Sequence, residues 1–288
     1  MFGMGNAAVK ESQAIGDRIS KRNFEKLASF IYDYSGIKMP PTKLTMLEGR
    51  LRRRLRATNI SSFDDYCDFL FNGGGLEQEV VHLIDVVTTN KTDFFREAKH
   101  FEYLQMTVLP ELLKRGHRHI RAWSSACSTG AEPYTMAMVL EEFAGGRSDA
   151  DYSILATDLS TDVLQVARKG IYPEDMVAPV PSELRRRYVM NAVSTMRRDV
   201  RITPRLRSKI GFGRMNLMDK KYSVGDKMHI IFCRNVLIYF DKPTQADVLA
   251  RLCDCLAPNG YMFIGHSESI SGFDLPLKQV SNTVFQRS

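Results

Sequence analysis

The sequence predicts an α/β protein. Its expected core is a doubly wound, mostly parallel sheet with an antiparallel C-terminal hairpin and a small inserted β element, preceded by a small all-α domain. Three observations carry this. Residues 21–87 hold apolar stripes at helical spacing and no strand signal, whereas from residue 119 onward short apolar runs alternate with helical-period segments. The length of 288 residues suits two cores, of roughly 80 and roughly 190 residues. Hydrophobic residues at 44% and charged residues at 25% are ordinary for globular chains and exclude wholesale disorder. No apolar run reaches bilayer length, and the N-terminus lacks an apolar signal core, so an intracellular (cytoplasmic), unprocessed protein is expected.

Residues 1–20 are polar and aperiodic and read as a flexible tail. Phe24, Leu27, Phe30 and Ile31 then mark a first helix that stops at Ser35-Gly36. A second follows Pro40-Pro41, with Leu44, Leu47, Leu51 and Leu55 in one stripe. Ser61-Ser62 caps a third over 63–71, ended by Gly73-Gly74-Gly75, and a fourth covers about 77–87. Residues 88–100, including TTNKTDFFRE, form a polar linker into a helix over 99–114. Strands are expected at 119–124, 152–157, 210–215, 229–233 and 261–264. Helices fall between them at 133–143, 161–169 and 244–256, with Pro258-Asn259-Gly260 as a turn before the last strand. A hairpin pairs 277–280 with 283–286 and adds the antiparallel edge.

Residues 173–209 break the alternation. They carry Arg185, Arg186, Arg187, Arg197, Arg198, Arg201, Arg205 and Arg207, with β-like pieces at 187–190 and 200–203, and read as the inserted β element over about 184–209. Basic residues exceed acidic by 40 to 33, a formal charge of +7. That excess permits an acidic partner without selecting one. Five cysteines without a CxxC pair or histidines at zinc spacing point to reduced thiols and no structural metal. Cys127 and Cys233 fall near the expected ligand site and are candidates for modification.

Open α/β sheets bind ligands at the carboxyl ends of their strands. The first strand runs into Cys127-Ser128-Thr129-Gly130-Ala131-Glu132-Pro133. One glycine is too few to cradle a pyrophosphate, and Glu132 at the helix N-terminus would repel it. The same carboxylate could receive an ammonium group, as in S-adenosylmethionine, or merely complement the helix dipole. Asp158 ends the second strand, where one carboxylate can accept from both hydroxyls of a ribose; Thr161 is the expected cap of the next helix, so Asp158 need not serve it. Asn216 and Asn235 follow the next two strands, suited to an adenine edge or to loop capping.

The segments TTNKTDFFRE, WSSACSTGAEPYT, ATDLSTDVL, MNL, IFCRNVLIYF and GHSE resemble, in order and wording, the CheR-type chemoreceptor glutamate methyltransferases, over nearly the whole chain. The resemblance implies a class I methyltransferase-like domain at 101–288, a receptor-docking helical domain at 21–87, and an 88–100 linker that contributes to the cofactor site. It implies S-adenosylmethionine as cofactor, with S-adenosylhomocysteine as product. By position, the family's cofactor contacts fall on Asn90, Thr92, Arg96, Glu132, Asp158, Asn216, Leu217, Asn235 and Val236.

The implied reaction esterifies glutamate γ-carboxylates on a chemoreceptor's cytoplasmic helical bundle. A glutamate is already ionised at neutral pH, so no strong base is needed. Charge is annihilated in the transition state, which favours water exclusion and in-line positioning. Arg96 and Tyr239 are the expected catalytic, orienting residues. The second helix carries Lys43, Arg50, Arg52, Arg53, Arg54 and Arg56 against Glu48. Arg50, Arg53 and Arg54 are the expected docking cations on its solvent face. Family members that grip a receptor C-terminal peptide carry a glycine-rich loop in the inserted element. Residues 191–198 here have no glycine, so such binding is not expected. Two other readings are an RNA methyltransferase, for which the basic runs lack interleaved aromatics, and a non-catalytic scaffold. Neither membrane insertion nor assembly beyond a monomer is demanded.

Overall fold

The computed structural model describes residues 18–194 and 198–288. Most of the expected tail and three residues of the 191–198 segment, Arg197 among them, lie outside the described residues. The described residues form two compact units, one of residues 18–30 and 39–87 and the other of residues 31–38 and the described part of 88–288.

In the smaller unit, helix α1 (Lys21–Ser35) contributes Phe24 and Leu27 to a core completed by α2 (Leu44–Thr58), α3 (Phe63–Phe71) and α4 (Leu76–Val87). Leu47, Leu51 and Leu55 are fully buried, as their stripe requires. Ser62 caps α3 by accepting the Asp65 N–H at 3.0 Å. Asn59 ends α2 in the left-handed region at φ 56°.

The arginines of α2 do not all face water. Positions 50 and 54 fall three residues after Leu47 and Leu51, on the border of the apolar stripe, and meet α4. Arg50 donates to the carbonyls of Val86 (3.3 Å) and Val87 (2.8 Å), satisfying the end of that helix. Arg54 forms a two-pronged pair with buried Glu79, at 3.1 and 2.6 Å, and the Tyr66 hydroxyl donates to the same carboxylate at 2.9 Å. This corrects the expectation of three solvent-facing docking cations: Arg53 is exposed, whereas Arg50 and Arg54 are largely covered.

The larger unit is built on a seven-stranded sheet of β1 (His119–Ser124), β2 (Asp151–Asp158), β6 (Ile210–Arg214), β7 (Met228–Cys233), β8 (Leu256–Ile264), β9 (Leu277–Ser281) and β10 (Val284–Arg287). Their order is β6-β2-β1-β7-β8-β10-β9, and the pairings from β6 to β8 are parallel. Strand β10 runs antiparallel to both neighbours. The order reverses at β1, which places the ligand crevice at the carboxyl ends of β1 and β7.

Central strands are buried on both faces with a two-residue period. Ile120, Ala122, Ile230, Phe232, Tyr261 and Phe263 enter one core, with Tyr134 and Met138 of α7 (Ala131–Ala144) and Leu164 of α8 (Thr161–Lys169). Trp123, Ile231, Cys233, Met262 and Ile264 enter the other, with Val248, Leu249 and Leu252 of α11 (Lys242–Cys255).

Four local details differ from the sequence pattern. Strand β8 begins at Leu256, so Pro258-Asn259-Gly260 lies inside it as an irregularity in register, with Asn259 at φ 59°. The expected 99–114 helix contains a π-helical turn, Leu104–Val108, between α5 (Lys99–Tyr103) and α6 (Leu109–Lys114). Pro110 explains it, since proline has no N–H for the i−4 carbonyl. The cap of α8 is Ser160, accepting from Val163 N at 3.5 Å, not Thr161. Finally, the expected inserted β element is present but begins before its expected bounds: it is a three-stranded antiparallel sheet of order β3-β5-β4, from β3 (Ile171–Pro173), β4 (Val189–Asn191) and β5 (Asp199–Ile202).

Helices α9 (Ser182–Tyr188) and α10 (Pro204–Arg207) accompany that sheet. Arg185, Arg186 and Arg187 are therefore helical and paired. Arg185 meets Glu174 at 2.5 Å, Arg186 meets Glu183 at 2.6 Å and Arg187 meets Glu142 at 2.7 Å. Arg205 pairs with Glu141.

Burial raises the Glu79 carboxyl pKa, but Arg54 and Tyr66 outweigh it and the net shift is downward. Its stabilising effect is therefore present above the unfolded carboxylate range and lost as pH falls through the native value. Glu79→Ala, which strands a buried guanidinium, should destabilise the full-length chain by about 3 kcal/mol at pH 7. Urea titrations should show that difference shrinking towards pH 3. Arg53→Ala in the same assay should change stability by no more than about 1 kcal/mol.

Candidate active site

Four strand ends and the 88–98 segment converge at the crevice. After β1 the chain turns through Ser128, at φ 50°, and Gly130, at φ 95°, into α7. A side chain at Gly130 would come within 2.9 Å of Ala167 Cβ and the Tyr172 hydroxyl, so only glycine fits. This turn presents Glu132 in the first turn of α7, where Ser124 Oγ donates to its Oε1 at 2.7 Å. Burial raises the Glu132 pKa, while a neighbouring guanidinium, that of Arg234, opposes the rise. Asp158 ends β2 and accepts the Ser128 N–H at 2.7 Å and the Ser160 N–H at 3.0 Å. These two bonds help to fix its plane.

After β7 comes Arg234, whose side chain is 1% exposed. Its guanidinium lies 5.3 Å from the Phe101 ring centre and 5.5 Å from that of Phe232. It reaches Glu97 Oε2 at 3.4 Å and Glu132 Oε2 at 3.7 Å, and donates to the Arg96 carbonyl. Asn235 follows at φ 57°, its side-chain amide donating to Glu97 Oε1 at 3.1 Å. Burial raises the Glu97 pKa, but Arg234 and the Asn235 amide reverse that and hold it below the usual range. Glu268, after β8, accepts the N–H groups of Asn235 (2.9 Å), Gly265 (2.6 Å) and Leu237 (2.8 Å), and that of Ile238 as well. It thereby clamps the β7 loop to the β8 loop. Burial still raises its pKa against those amides.

The comparisons with known proteins match this chain at both ends. The model for the CheR methyltransferase SAM-binding domain matches residues 90–286, and that for the CheR methyltransferase all-alpha domain matches residues 22–88. The chain belongs to the CheR methyltransferase family. The chemotaxis protein methyltransferase of Borreliella burgdorferi is 39% identical over 259 residues, covering 88% of this chain and 90% of its own. That of Salmonella typhimurium is 37% identical, covering 94% and 91%, and that of Escherichia coli 35%, covering 94% and 92%.

This CheR-family enzyme is a methyltransferase whose cofactor is S-adenosylmethionine. The donor set fits that group. Carboxylates of the kind that accept from an ammonium and a ribose diol line the crevice, and no glycine-rich cradle for phosphates accompanies them. Of the expected contacts, Glu132 lies in the first turn of α7 and Asp158, Asn235 and Val236 lie at or just after strand ends, Val236 opening the 3₁₀ turn Leu237–Tyr239. Asn90 is tied to the β1 loop, its carbonyl accepting from Ser128 Oγ at 2.7 Å, and Thr92 is half-buried. Arg96 folds back onto its own segment, donating to the Lys91 carbonyl at 3.0 Å, and is half-exposed.

Asn216 is more committed than expected. Its amide donates to the Tyr34 carbonyl at 2.6 Å and its Oδ1 accepts the Met218 N–H at 3.0 Å, leaving one N–H for a ligand. Leu217 is buried in the α11-side core, and Tyr239 packs against the same core. Residue-by-residue reading missed Arg234, Glu97 and Glu268 as site-builders. They stand inside FCRN, FFRE and GHSE, but nothing in the sequence marks a charge as buried.

Glu97, His100 and His266 each place one possible ligand atom within 4.8 Å of the others, a grouping able to hold a metal ion. Arg234, 3.4 Å from the same Glu97 oxygen, already supplies the positive charge there. Burial and Arg234 push His100 down to about 4, so it is neutral at pH 7.

The five cysteines are all buried and free, with raised thiol pKa values caused chiefly by burial. Cys127 and Cys233 are thus poor candidates for modification, contrary to expectation. A thiol-disulfide reagent should titrate no cysteine rapidly in the native protein and all five after denaturation. Glu268→Gln replaces an acceptor-only group by one that also donates, against a cluster of N–H groups. It should weaken S-adenosylhomocysteine binding roughly tenfold by calorimetry, through loss of the β7 loop geometry.

Proposed function

We propose that this enzyme esterifies glutamate side-chain carboxylates on the cytoplasmic helical bundle of a chemoreceptor, the reaction of sensory adaptation. The observation that carries the reading is full-length likeness to chemotaxis protein methyltransferases, including the all-alpha domain, together with an acidic site that keeps Glu132 and Asp158 at or just after its strand ends. S-adenosylmethionine supplies an electrophilic methyl group on a sulfonium. Every other requirement falls on the chain.

Glu132 is read as the acceptor for the cofactor's ammonium and Asp158 as the acceptor for its ribose hydroxyls. The Asn90, Thr92, Asn216, Leu217, Asn235 and Val236 positions shape the rest of that surface. Arg96 orients a carboxylate through its unengaged N–H groups. An over-tight pair would stabilise the ground state, so orientation is the useful role. Tyr239 is assigned to the same orienting task. A glutamate nucleophile is ionised at neutral pH, which agrees with a crevice whose buried imidazole, His100, is neutral and held by Thr283 at 2.8 Å rather than turned to base duty.

The RNA reading is disfavoured by the ion pairs of the inserted element, which occupy Arg185, Arg186, Arg187 and Arg205 with glutamates. For receptor docking, exposed Arg53 is the residue retained from the expected trio, since Arg50 and Arg54 serve α4. Docking is proposed to act without a receptor tail peptide.

Receptor-containing membranes incubated with the enzyme and methyl-labelled cofactor should acquire label that mild alkali releases as methanol and that ribonuclease leaves in place. Ribonuclease-sensitive label would overturn the assignment. Arg96→Ala should lower kcat by at least about tenfold, with less effect on S-adenosylhomocysteine affinity. Arg53→Glu should reduce kcat/KM for receptor and flatten its salt dependence.

A further inference from the structure

Arg234 was given no part in cofactor binding or catalysis above, although its side chain is only 1% exposed. Its guanidinium contacts two carboxylates, Glu97 Oε2 at 3.4 Å and Glu132 Oε2 at 3.7 Å, and stands between two aromatic rings. Its Nε and Nη1 have no hydrogen-bond partner. Arginine cannot lose its proton in a protein, so this is a fixed positive charge. Burying such a charge is costly unless anions meet it, and the residues that meet it are the two acids that open α7 and close the FFRE segment.

The environment of Glu132 explains what the charge does. Around its carboxylate stand Arg234 from the β7 loop, Ser124 from the end of β1, Glu97 from the 88–98 segment and Glu268 from the β8 loop. The thiols of Cys127, in the β1 loop, and Cys233, at the end of β7, feel its charge too, and burial raises the pKa of both. Burial, Glu97 and Glu268 all favour the protonated acid, against Arg234 and the Ser124 hydroxyl. A protonated Glu132 would have no charge with which to hold an ammonium group.

We propose that Arg234 is a positioning residue that keeps Glu132 ionised, so that the enzyme holds the cofactor's ammonium group across the neutral pH range. The proposal rests on the reading of Glu132 as the ammonium's acceptor. Arg234 also fixes the Arg96 carbonyl, so one side chain sets both the charge of the acceptor and the path of the segment facing it.

The sign follows from linkage. The binding-competent form is the carboxylate, so affinity is present above the Glu132 pKa and lost as pH falls through it. Removing the guanidinium leaves burial, Glu97 and Glu268 unopposed except by Ser124, and moves that loss to higher pH.

The test is calorimetric binding of S-adenosylhomocysteine, with 5′-methylthioadenosine as a probe lacking the ammonium group, from pH 6.5 to 8.5. The proteins are the wild type, Arg234→Met, Arg234→Lys and Glu132→Gln. The wild type should bind S-adenosylhomocysteine with little pH dependence. Arg234→Met should lose affinity towards low pH, approaching about tenfold per unit, while its 5′-methylthioadenosine binding stays flat. Arg234→Lys should restore the flat profile. An Arg234→Met protein weakened by one factor at every pH would overturn the proposal and leave Arg234 a packing residue. So would a wild type that itself titrates between pH 6.5 and 8.5, a result that does not depend on any variant folding. Glu132→Gln binding S-adenosylhomocysteine as tightly as the wild type would instead overturn the ammonium assignment.

Discussion

The buried guanidinium of Arg234 is the constraint on which the crevice depends. A charge with 1% exposure cannot be left without anions, and those supplied come from two elements far apart in sequence. Glu97 and Glu132 must therefore approach the end of β7, which fixes the distance between the 88–98 segment and the start of α7. Glu268 does the same for the β8 loop, trading one buried carboxylate for the N–H groups of a turn that would otherwise lack acceptors. Phe95, Glu97, Ser128 and Asn235 all sit at positive φ, between 50° and 58°. Left-handed backbone at four non-glycine residues around one crevice is strain, and the charge and amide network is what holds it.

That network is not neutral. Glu97, Glu132 and Glu268 outnumber Arg234, and His100 adds no charge at pH 7. A cofactor carrying a sulfonium and an ammonium against one carboxylate is a net cation, so an acidic crevice suits it better than a phosphate-binding one would. Burial is what raises the pKa of Glu132 and Glu268, whereas at Glu97 Arg234 and the Asn235 amide outweigh burial and the net shift is downward.

Much of the fold was legible because its signals are periodic. The strand at 119–124 and the helix at 63–71 follow from apolar spacing and from turn residues on either side, and the structure places β1 and α3 there. The start of β8 was not legible, because Pro258-Asn259-Gly260 is ordinary turn chemistry and only pairing with β7 makes it a bulge. Asp158 and Glu132 stand out as candidates from the rule that ligands meet strand ends and the loops that follow them. Arg234 does not, since a residue next to Asn235 at a strand end reads as one more polar loop position. Burial of a charge is a property of three elements at once, and a one-dimensional pattern does not contain it.

The arginines carry the same lesson about charge. A formal excess of +7 permits an acidic partner, and the arginines of the second helix read as a surface for one. In the inserted element, Arg185, Arg187 and Arg205 reach glutamates well apart in sequence and so brace that element instead. On α2, helical period decides which cations are spent. Arg50 and Arg54 border the leucine stripe and serve the C-terminus of α4 and Glu79, whereas Arg53, one step round the helix, is turned to solvent. Neighbouring residues of one type thus divide between covered and solvent-facing positions, and the angle each makes with the apolar stripe sets the division.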